Sequence, residues 1–304
     1  MERFEVLFDV TKPAHRVRHT QGIDALMRQR GPPDLKNEFD IQLAIENHAS
    51  LISKWVVEGG DNFYLHPQWK HAMDQAVVHA DVPVQRKQVY SVGRYYAYWP
   101  SLVHELQGIY SDGTFLPNAE RVLALWDRVT FLNAEVLAAG ELNISSARFL
   151  DQIMEKTDTD TESPLGTQFD FANIDTLQLL VTYVMLLIIL NRILYHLSVL
   201  SGRPTLSLQE NHKDLCRQIW MCIPFMRAMQ GMGSILFAAP LYLSYEGATT
   251  DSEKKYLLDY IMETAKRSGR YPEDRREVEK FVLNTARSMT GQRPFDTTRF
   301  SKSI

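Results

Sequence analysis

Residues 176–191, TLQLLVTYVMLLIILN, form the stretch that most restricts how this chain can fold. No charged side chain interrupts it between Asp175 and Arg192, although Gln178 and Asn191 lie inside it. A helix that crosses a bilayer needs roughly 20 predominantly apolar residues, and this stretch is shorter. We therefore predict a central helix buried on all sides and no membrane association, with a membrane-spanning helix as the alternative.

Helical periodicity dominates the rest of the chain. Four apolar stripes each predict an amphipathic helix, and they run over residues 41–56, 122–137, 256–265 and 278–289. Residues 82–90, VPVQRKQVY, are the best strand candidate, but we predict loop or helix there because no region alternates with period two for long. No glycine-rich turn supports a Rossmann or P-loop fold. The predicted fold class is all-α, a multi-helix bundle.

The chain has 304 residues, which is enough for one large or two ordinary domains. Residues 157–170, TDTDTESPLGTQFD, are acidic and polar, which predicts a flexible internal loop. The predicted helices on both sides resemble layers of one bundle. We therefore expect a single helical domain over residues 1–304, with a frayed tail from about residue 291 to residue 304.

Charge and cysteine content narrow the class of protein. The net charge is −4, which argues against a chain built mainly to bind nucleic-acid phosphates. The two cysteines, Cys216 and Cys222, favour a reducing, intracellular compartment, and their spacing matches no zinc motif. We interpret them as two buried thiols on one helix. Residues 1–13 lack the pattern of a signal peptide.

Metal and catalytic motifs are weak or incomplete. His66, His71, Asp74 and His79 cluster in the sequence but lack the spacing of a metal-binding helix. The acidic residues at 158–162 lack the central glycine of a calcium loop. No serine or cysteine lies in a recognisable nucleophile motif. We predict no metal and no cofactor, and no catalytic residue can be named from sequence.

Polar side chains inside the apolar helices are the best candidates for a binding site. Buried polar groups require hydrogen-bond partners, which are either other protein groups or a ligand. A core network is one interpretation, and a helix-lined cavity for a mostly apolar metabolite is the other. The candidate ligand-binding residues are Tyr183, Asn191, Arg192, Tyr195, His196, Trp220, Arg227 and Gln230.

Several segments, in order, resemble the fungal-specific transcription factor domain. This domain is the regulatory region that follows the two-zinc, six-cysteine DNA-binding cluster of many fungal regulators. Each segment alone is weakly specific, and their order and spacing carry the likeness. The segments are HTQGIDALMRQRGP at 19–32, FYLHPQWK at 63–70, the apolar helix around 177–200, LCRQIWMCIPFM at 215–226, AAPL at 238–241 and SEKKYLLDYI at 252–261.

The resemblance implies an all-helical, solenoid-like bundle and a role in transcriptional control, often of metabolic or natural-product genes. It supplies no catalytic residues. In the family, the zinc cluster and further helices precede the segment that begins here at residue 19, and no C-x2-C-x6-C motif occurs in this sequence. We therefore expect a relative without the DNA-reading part and without direct nucleic-acid binding.

Two classes of function follow as expectations. The first is a regulator of secondary-metabolite genes in the nucleus or cytoplasm, which acts through a protein partner or a homodimer and binds an apolar metabolite. The second is a natural-product enzyme, a cofactor-independent cyclase or isomerase of the pericyclase kind. Such an enzyme needs a shaped apolar pocket and held geometry more than a sequence motif.

Overall fold

The computed structural model describes residues 13–111, 119–158, 163–229, 237–267 and 274–293. The helices are α1 (Pro13–Arg30), α2 (Glu38–Glu58), α3 (Pro67–His79), α4 (Val84–Gly93), α5 (Trp99–Ser111), α6 (Ala119–Phe149), α7 (Ile174–Leu200), α8 (Leu206–Trp220), α9 (Ile223–Ala228), α10 (Ala238–Tyr245), α11 (Asp251–Arg267) and α12 (Arg275–Met289). Short 3-10 helices lie at Phe63–Leu65 and Arg94–Tyr98, and the strands are β1 (Ile153–Thr157) and β2 (Thr167–Phe171). The all-α fold class is confirmed.

Helix α7 is the centre of the bundle. It begins after Asn173, whose side chain accepts a hydrogen bond from the Thr176 backbone N–H, and it packs against α4, α6, α8 and α10. Leu177, Val184 and Ile188 have no exposed surface. The helix is long and apolar enough to cross a membrane, but 83% of its most apolar window is buried by the other helices. A core helix of a soluble protein has the same property.

An aromatic cluster joins the N-terminal helices to this core. Trp55 of α2 contacts Phe63 and Tyr64 edge-on, with ring centroids 5.1 and 5.9 Å apart, and Trp69 of α3 packs on Phe63 at 4.4 Å. One continuous hydrophobic cluster then extends from Met27 in α1 to residues of α12. The helices at both ends of the described chain therefore share one core.

The segment predicted as a loop at 157–170 is partly a β-hairpin. Strands β1 and β2 pair antiparallel, with Ile153 opposite Phe171. The buried side chains of Phe169 and Phe171 alternate with half-buried ones, and the Phe169 N–H donates to the Met221 carbonyl at 2.9 Å. The alternation is too short to detect in an acidic, polar sequence. Residues 159–162 of the predicted loop and residues 294–304 of the predicted tail lie outside the described residues.

Two local predictions have opposite outcomes. The segment at 82–90 is helical from Val84 onward, as the absence of sustained alternation indicated. Both thiols are buried, but they do not lie on one helix, because α8 ends at Trp220 and Cys222 caps the next helix. Pro224 explains the break, since its ring is compatible only with the first turn of a helix.

Candidate functional site

A large cleft lies among the described helices. Its volume is about 1320 Å³, and residues from α2, α3, α4, α6, α7, α10 and α12 line it. Ligand pockets usually occupy about 300–1,000 Å³, so this cleft exceeds what a small metabolite needs. It is partly open to solvent, and it lies between helices from both ends of the described chain.

Aromatic rings dominate the lining. The segment RYYAYW at 94–99 supplies four of them from the 3-10 helix and the start of α5. A 3-10 helix has three residues per turn, so Tyr95 and Tyr98 start from the same side of it. The aromatic residues of the lining are Tyr64, Tyr90, Tyr95, Tyr96, Tyr98, Trp99, Phe131, Phe237, Tyr242 and Phe281.

Hydrogen bonds to the backbone hold three of these rings in place. The Tyr64 hydroxyl donates to the Ala44 carbonyl at 3.2 Å, and the Tyr96 hydroxyl donates to the Thr182 carbonyl of α7 at 3.1 Å. Trp99 Nε1–H donates to the Met289 carbonyl of α12 at 2.7 Å. Burial raises the pKa of both tyrosines well above the ordinary range, so their hydroxyls stay protonated. The result is a preorganised, largely apolar wall.

His48 of α2 is a neutral polar group in this wall. Its ring lies edge-on to Tyr64, with centroids 4.6 Å apart, and it makes no hydrogen bond within the described part of the chain. Desolvation by the surrounding protein lowers the pKa of His48 to about 4. At neutral pH its imidazole is therefore uncharged, with one nitrogen able to donate and the other able to accept.

Charged side chains cluster where α3 lies beside the second 3-10 helix, Arg94–Tyr98. Arg94 Nη1 forms an ion pair with Asp74 at 2.9 Å, and Arg94 Nη2 donates to the Tyr95 hydroxyl at 3.3 Å. The Lys70 ammonium donates to the Tyr98 hydroxyl at 3.0 Å and lies 5.7 Å from the centre of that ring. All five side chains line the cleft.

The residues predicted for ligand binding lie elsewhere. None of the seven that the structure describes lines the cleft, and Gln230 lies outside the described residues. Tyr183 of α7 packs on Gly140 of α6, and Asn191 and Trp220 are buried in the core. The predicted set therefore does not mark the cleft.

Arg192, His196 and Arg227 of the predicted set have protein partners. Arg192 pairs with Glu246 at 3.0 Å and lies over the ring of Tyr195, while His196 Nδ1 is 3.0 Å from the Tyr110 hydroxyl. Arg227 Nε lies 3.2 Å from Glu263 Oε2. These contacts belong to three separate helix pairs, and the Arg227 pair is about one-third exposed. Two other members of the set, Asn191 and Trp220, have a buried polar atom without a hydrogen-bond partner among the described residues.

The structure offers no alternative metal centre among the described residues. No group of three or more His, Cys, Asp or Glu side chains is placed there to hold a metal ion. In the cluster singled out from sequence, His66 lies 2.8 Å from Asp61, and Asp74 is held by Arg94. The signal that sequence reasoning missed is the aromatic run at 94–99, which lines the cleft.

No protein-family model, no curated protein and no solved structure matches this chain. The likeness to the fungal regulatory domain therefore rests on its sequence segments and stays a prediction. One of those segments, residues 63–70, spans the aromatic cluster beside the cleft, including Phe63, Tyr64 and Trp69.

Proposed function

We propose that this chain binds a large, mainly apolar small molecule in the cleft, and that binding regulates gene expression through protein partners. The observation that supports binding is the cleft itself, with about 1320 Å³ of space and a wall of tyrosine and tryptophan rings. Ring faces bury large apolar areas, and the few polar groups between them orient a ligand. The regulatory part of the proposal rests on the sequence resemblance.

The position of the cleft fits a regulatory role. Helices α2 and α12 both line it, and they belong to opposite ends of the described chain. A ligand that contacts both favours the arrangement in which they are correctly placed, because it shifts an equilibrium by its difference in affinity for the two states. Ligand binding would thus be transmitted to the outer surfaces of these helices.

An exposed apolar surface on α6 suits a protein partner. Leu142 and Phe149 lie two helical turns apart on this helix and are 75% and 87% exposed, and Leu150 follows them. Exposed apolar groups that lie together on a surface are typical of protein-interaction sites. The proposal assigns partner binding to this surface and ligand binding to the cleft.

The binding proposal is tested by blocking the cleft. Ala49 and Ser53 lie one turn apart on α2 and both line the cleft, so A49W/S53W fills part of it. Ala134 and Ala138 are exposed on α6 outside the cleft, so A134W/A138W is the matched control. Each purified protein is mixed with an organic extract of its source cells and separated from free compounds by gel filtration, and retained compounds are identified by mass spectrometry.

We expect the wild type and the A134W/A138W control to retain the same compound, and A49W/S53W to lose it. Equal retention by all three proteins, or retention by none, contradicts the proposal. The regulatory part has its own test in a strain that lacks the gene. Changed transcript levels of neighbouring genes support it, whereas unchanged transcripts together with an accumulated precursor contradict it.

A cofactor-independent isomerase or cyclase is the second candidate, and His48 favours it. A neutral imidazole in the cleft wall, without a hydrogen-bond partner in the described residues, can accept a proton from a bound molecule and return it elsewhere, although its lowered pKa makes it a weaker base than a free histidine. The retained compound decides between the candidates. Its conversion by wild-type protein but not by His48→Gln supports an enzyme, whereas its recovery unchanged supports a regulator.

A further inference from the structure

Lys70 differs from the other cations that line the cleft. Arg86 pairs with Asp175, Arg94 with Asp74 and Arg128 with Glu105. Among the described residues, no carboxylate lies within ion-pair distance of Lys70, whose hydrogen-bond partner is the Tyr98 hydroxyl. Asp74 attracts Lys70 from farther away but is neutralised by Arg94. Lys70 is exposed to solvent, so the rim at this end of the cleft carries one surplus positive charge.

The hydroxyl groups of Tyr95 and Tyr98, which both line the cleft, are available as donors. The Tyr98 oxygen accepts from Lys70, and the Tyr95 oxygen accepts from Arg94. A phenol that accepts from a cation keeps its own proton for a different partner. Within the described chain neither hydroxyl donates to a protein acceptor, and Lys70 uses one of its three N–H groups on Tyr98. Donors thus outnumber acceptors at this end.

A charged, donor-rich end attached to an apolar cleft matches one class of ligand. We infer that the molecule bound in the cleft is an apolar carboxylic acid, whose carboxylate accepts hydrogen bonds from Lys70 and from the Tyr95 and Tyr98 hydroxyls. The inference rests on the proposed binding function and adds the chemical class and the orientation of the ligand. The hydrogen bond to Tyr98 raises the pKa of Lys70, so the ammonium is charged at neutral pH.

Charges elsewhere in the cleft set the orientation. Asp127 and Glu135 of α6 line it on either side of Phe131, and no cation pairs with them among the described residues. They repel a carboxylate from the α6 wall. The acid group is therefore directed to the α3 end, while the apolar body lies along Met73, Tyr64 and the rings beyond.

The test compares cis-parinaric acid, a fluorescent apolar acid, with its methyl ester. Both are titrated into the purified chain at pH 7.5, and binding is measured by fluorescence. We expect the acid to bind at least about tenfold more tightly than the ester, because hydrogen bonds to a charged group strengthen binding by this order. Lys70→Met should weaken the affinity for the acid about tenfold and leave the affinity for the ester unchanged.

Three further variants complete the design. Lys70→Arg keeps the charge and should retain most of the preference for the acid, and Tyr98→Phe should lower it. Lys36→Met removes an equal charge at an exposed site outside the cleft and should have no effect. Circular dichroism and a thermal melt of each variant show whether it is folded.

Each outcome separates the inference from the proposed function. Equal binding of acid and ester, or a preference that survives Lys70→Met, overturns the carboxylate site but leaves the cleft as a binding site. Failure of both probes to bind the wild type, or binding that A49W/S53W does not weaken, overturns the binding function and the carboxylate site with it.

Discussion

Replacing Gly140 by alanine should destabilise this protein, although the same change stabilises most helices. Gly140 lies in the interior of α6, and the ring of Tyr183 from α7 packs directly on its Cα. A Cβ built there would lie 2.6 Å from Tyr183 Cζ and closer still to Cε2 and Cδ2. Real Cβ atoms do not make such contacts, so the ring must move or the helices must separate.

The size of the effect follows from two opposing terms. Alanine gains about 0.5–1 kcal/mol over glycine inside a helix, because glycine loses more backbone entropy on folding. Overpacking a filled interface costs about 1–3 kcal/mol. Because the added Cβ would lie far inside van der Waals distance of the ring, the overpacking cost falls in the upper half of its range, and the net loss for Gly140→Ala is about 1–2.5 kcal/mol in the free energy of unfolding.

The assay is urea unfolding followed by circular dichroism, with Gly22→Ala as the matched control. Gly22 lies in α1, and a Cβ there would meet nothing within 4 Å, so this variant should gain about 0.5–1 kcal/mol. Adding Tyr183→Ala to Gly140→Ala should remove the clash, so the two substitutions together should cost less than the sum of their separate costs. The packing is refuted if Gly140→Ala is as stable as the wild type while Gly22→Ala behaves as expected.

Three other predictions test the core and the cleft. Asn173→Ala removes the N-cap of the central helix and should lower the free energy of unfolding, measured in urea, by about 1 kcal/mol. Arg192→Met leaves Glu246 buried and unpaired and should cost about 3 kcal/mol, and R192M/E246L should recover most of that loss in the same assay. The pKa of His48 is lowered to about 4 in the folded protein, so below pH 6.5 the unfolded state binds more protons than the folded state. The free energy of unfolding is therefore unaffected by the titration of His48 above pH 6.5 and should decrease as the pH falls from 6.5 towards 4. The decrease from this one group should be at most about 1.4 kcal/mol per pH unit, and the slope should be smaller in His48→Gln.

The sequence carried enough information for the helices but not for the hairpin. The apolar run at 176–191 predicts a buried helix because its charge-free length leaves few alternatives, and α7 is that helix. Strands β1 and β2 have five residues each, and only Ile153, Phe169 and Phe171 among them are buried. Three buried positions are too few to produce a recognisable alternation of apolar and polar residues beside an acidic loop.

The predicted ligand residues show what a single sequence leaves open. Arg192, His196 and Arg227 looked unsatisfied because their partners are far away in the chain. The Tyr110 hydroxyl that contacts His196 lies 86 residues earlier, and Glu263 lies 36 residues after Arg227. Such a partner cannot be read from the local sequence, and a buried polar residue can also lack one, since Asn191 Oδ1 and Trp220 Nε1 have no hydrogen-bond partner among the described residues.

The cleft could not have been predicted in the same way, because concavity belongs to the packing of helices and not to any one of them. Its lining joins residues 45–57, 94–99 and 281–289, and no local pattern connects these segments. The run RYYAYW is the one part of the aromatic lining that a short stretch of sequence displays, with four rings in six residues.

The two candidate functions use different parts of this cleft. The proposed acid binding uses the apolar wall together with the donors at Lys70, Tyr95 and Tyr98, and a regulator needs in addition only a difference in affinity between two arrangements of the helices. Catalysis requires in addition a group that exchanges a proton with the ligand, and His48 is placed for that exchange. Since His48 is not among the donors of the charged end, His48→Gln should leave acid binding intact under either function. Only an enzyme would then lose turnover, so the comparison of binding with conversion in this one variant separates the two functions.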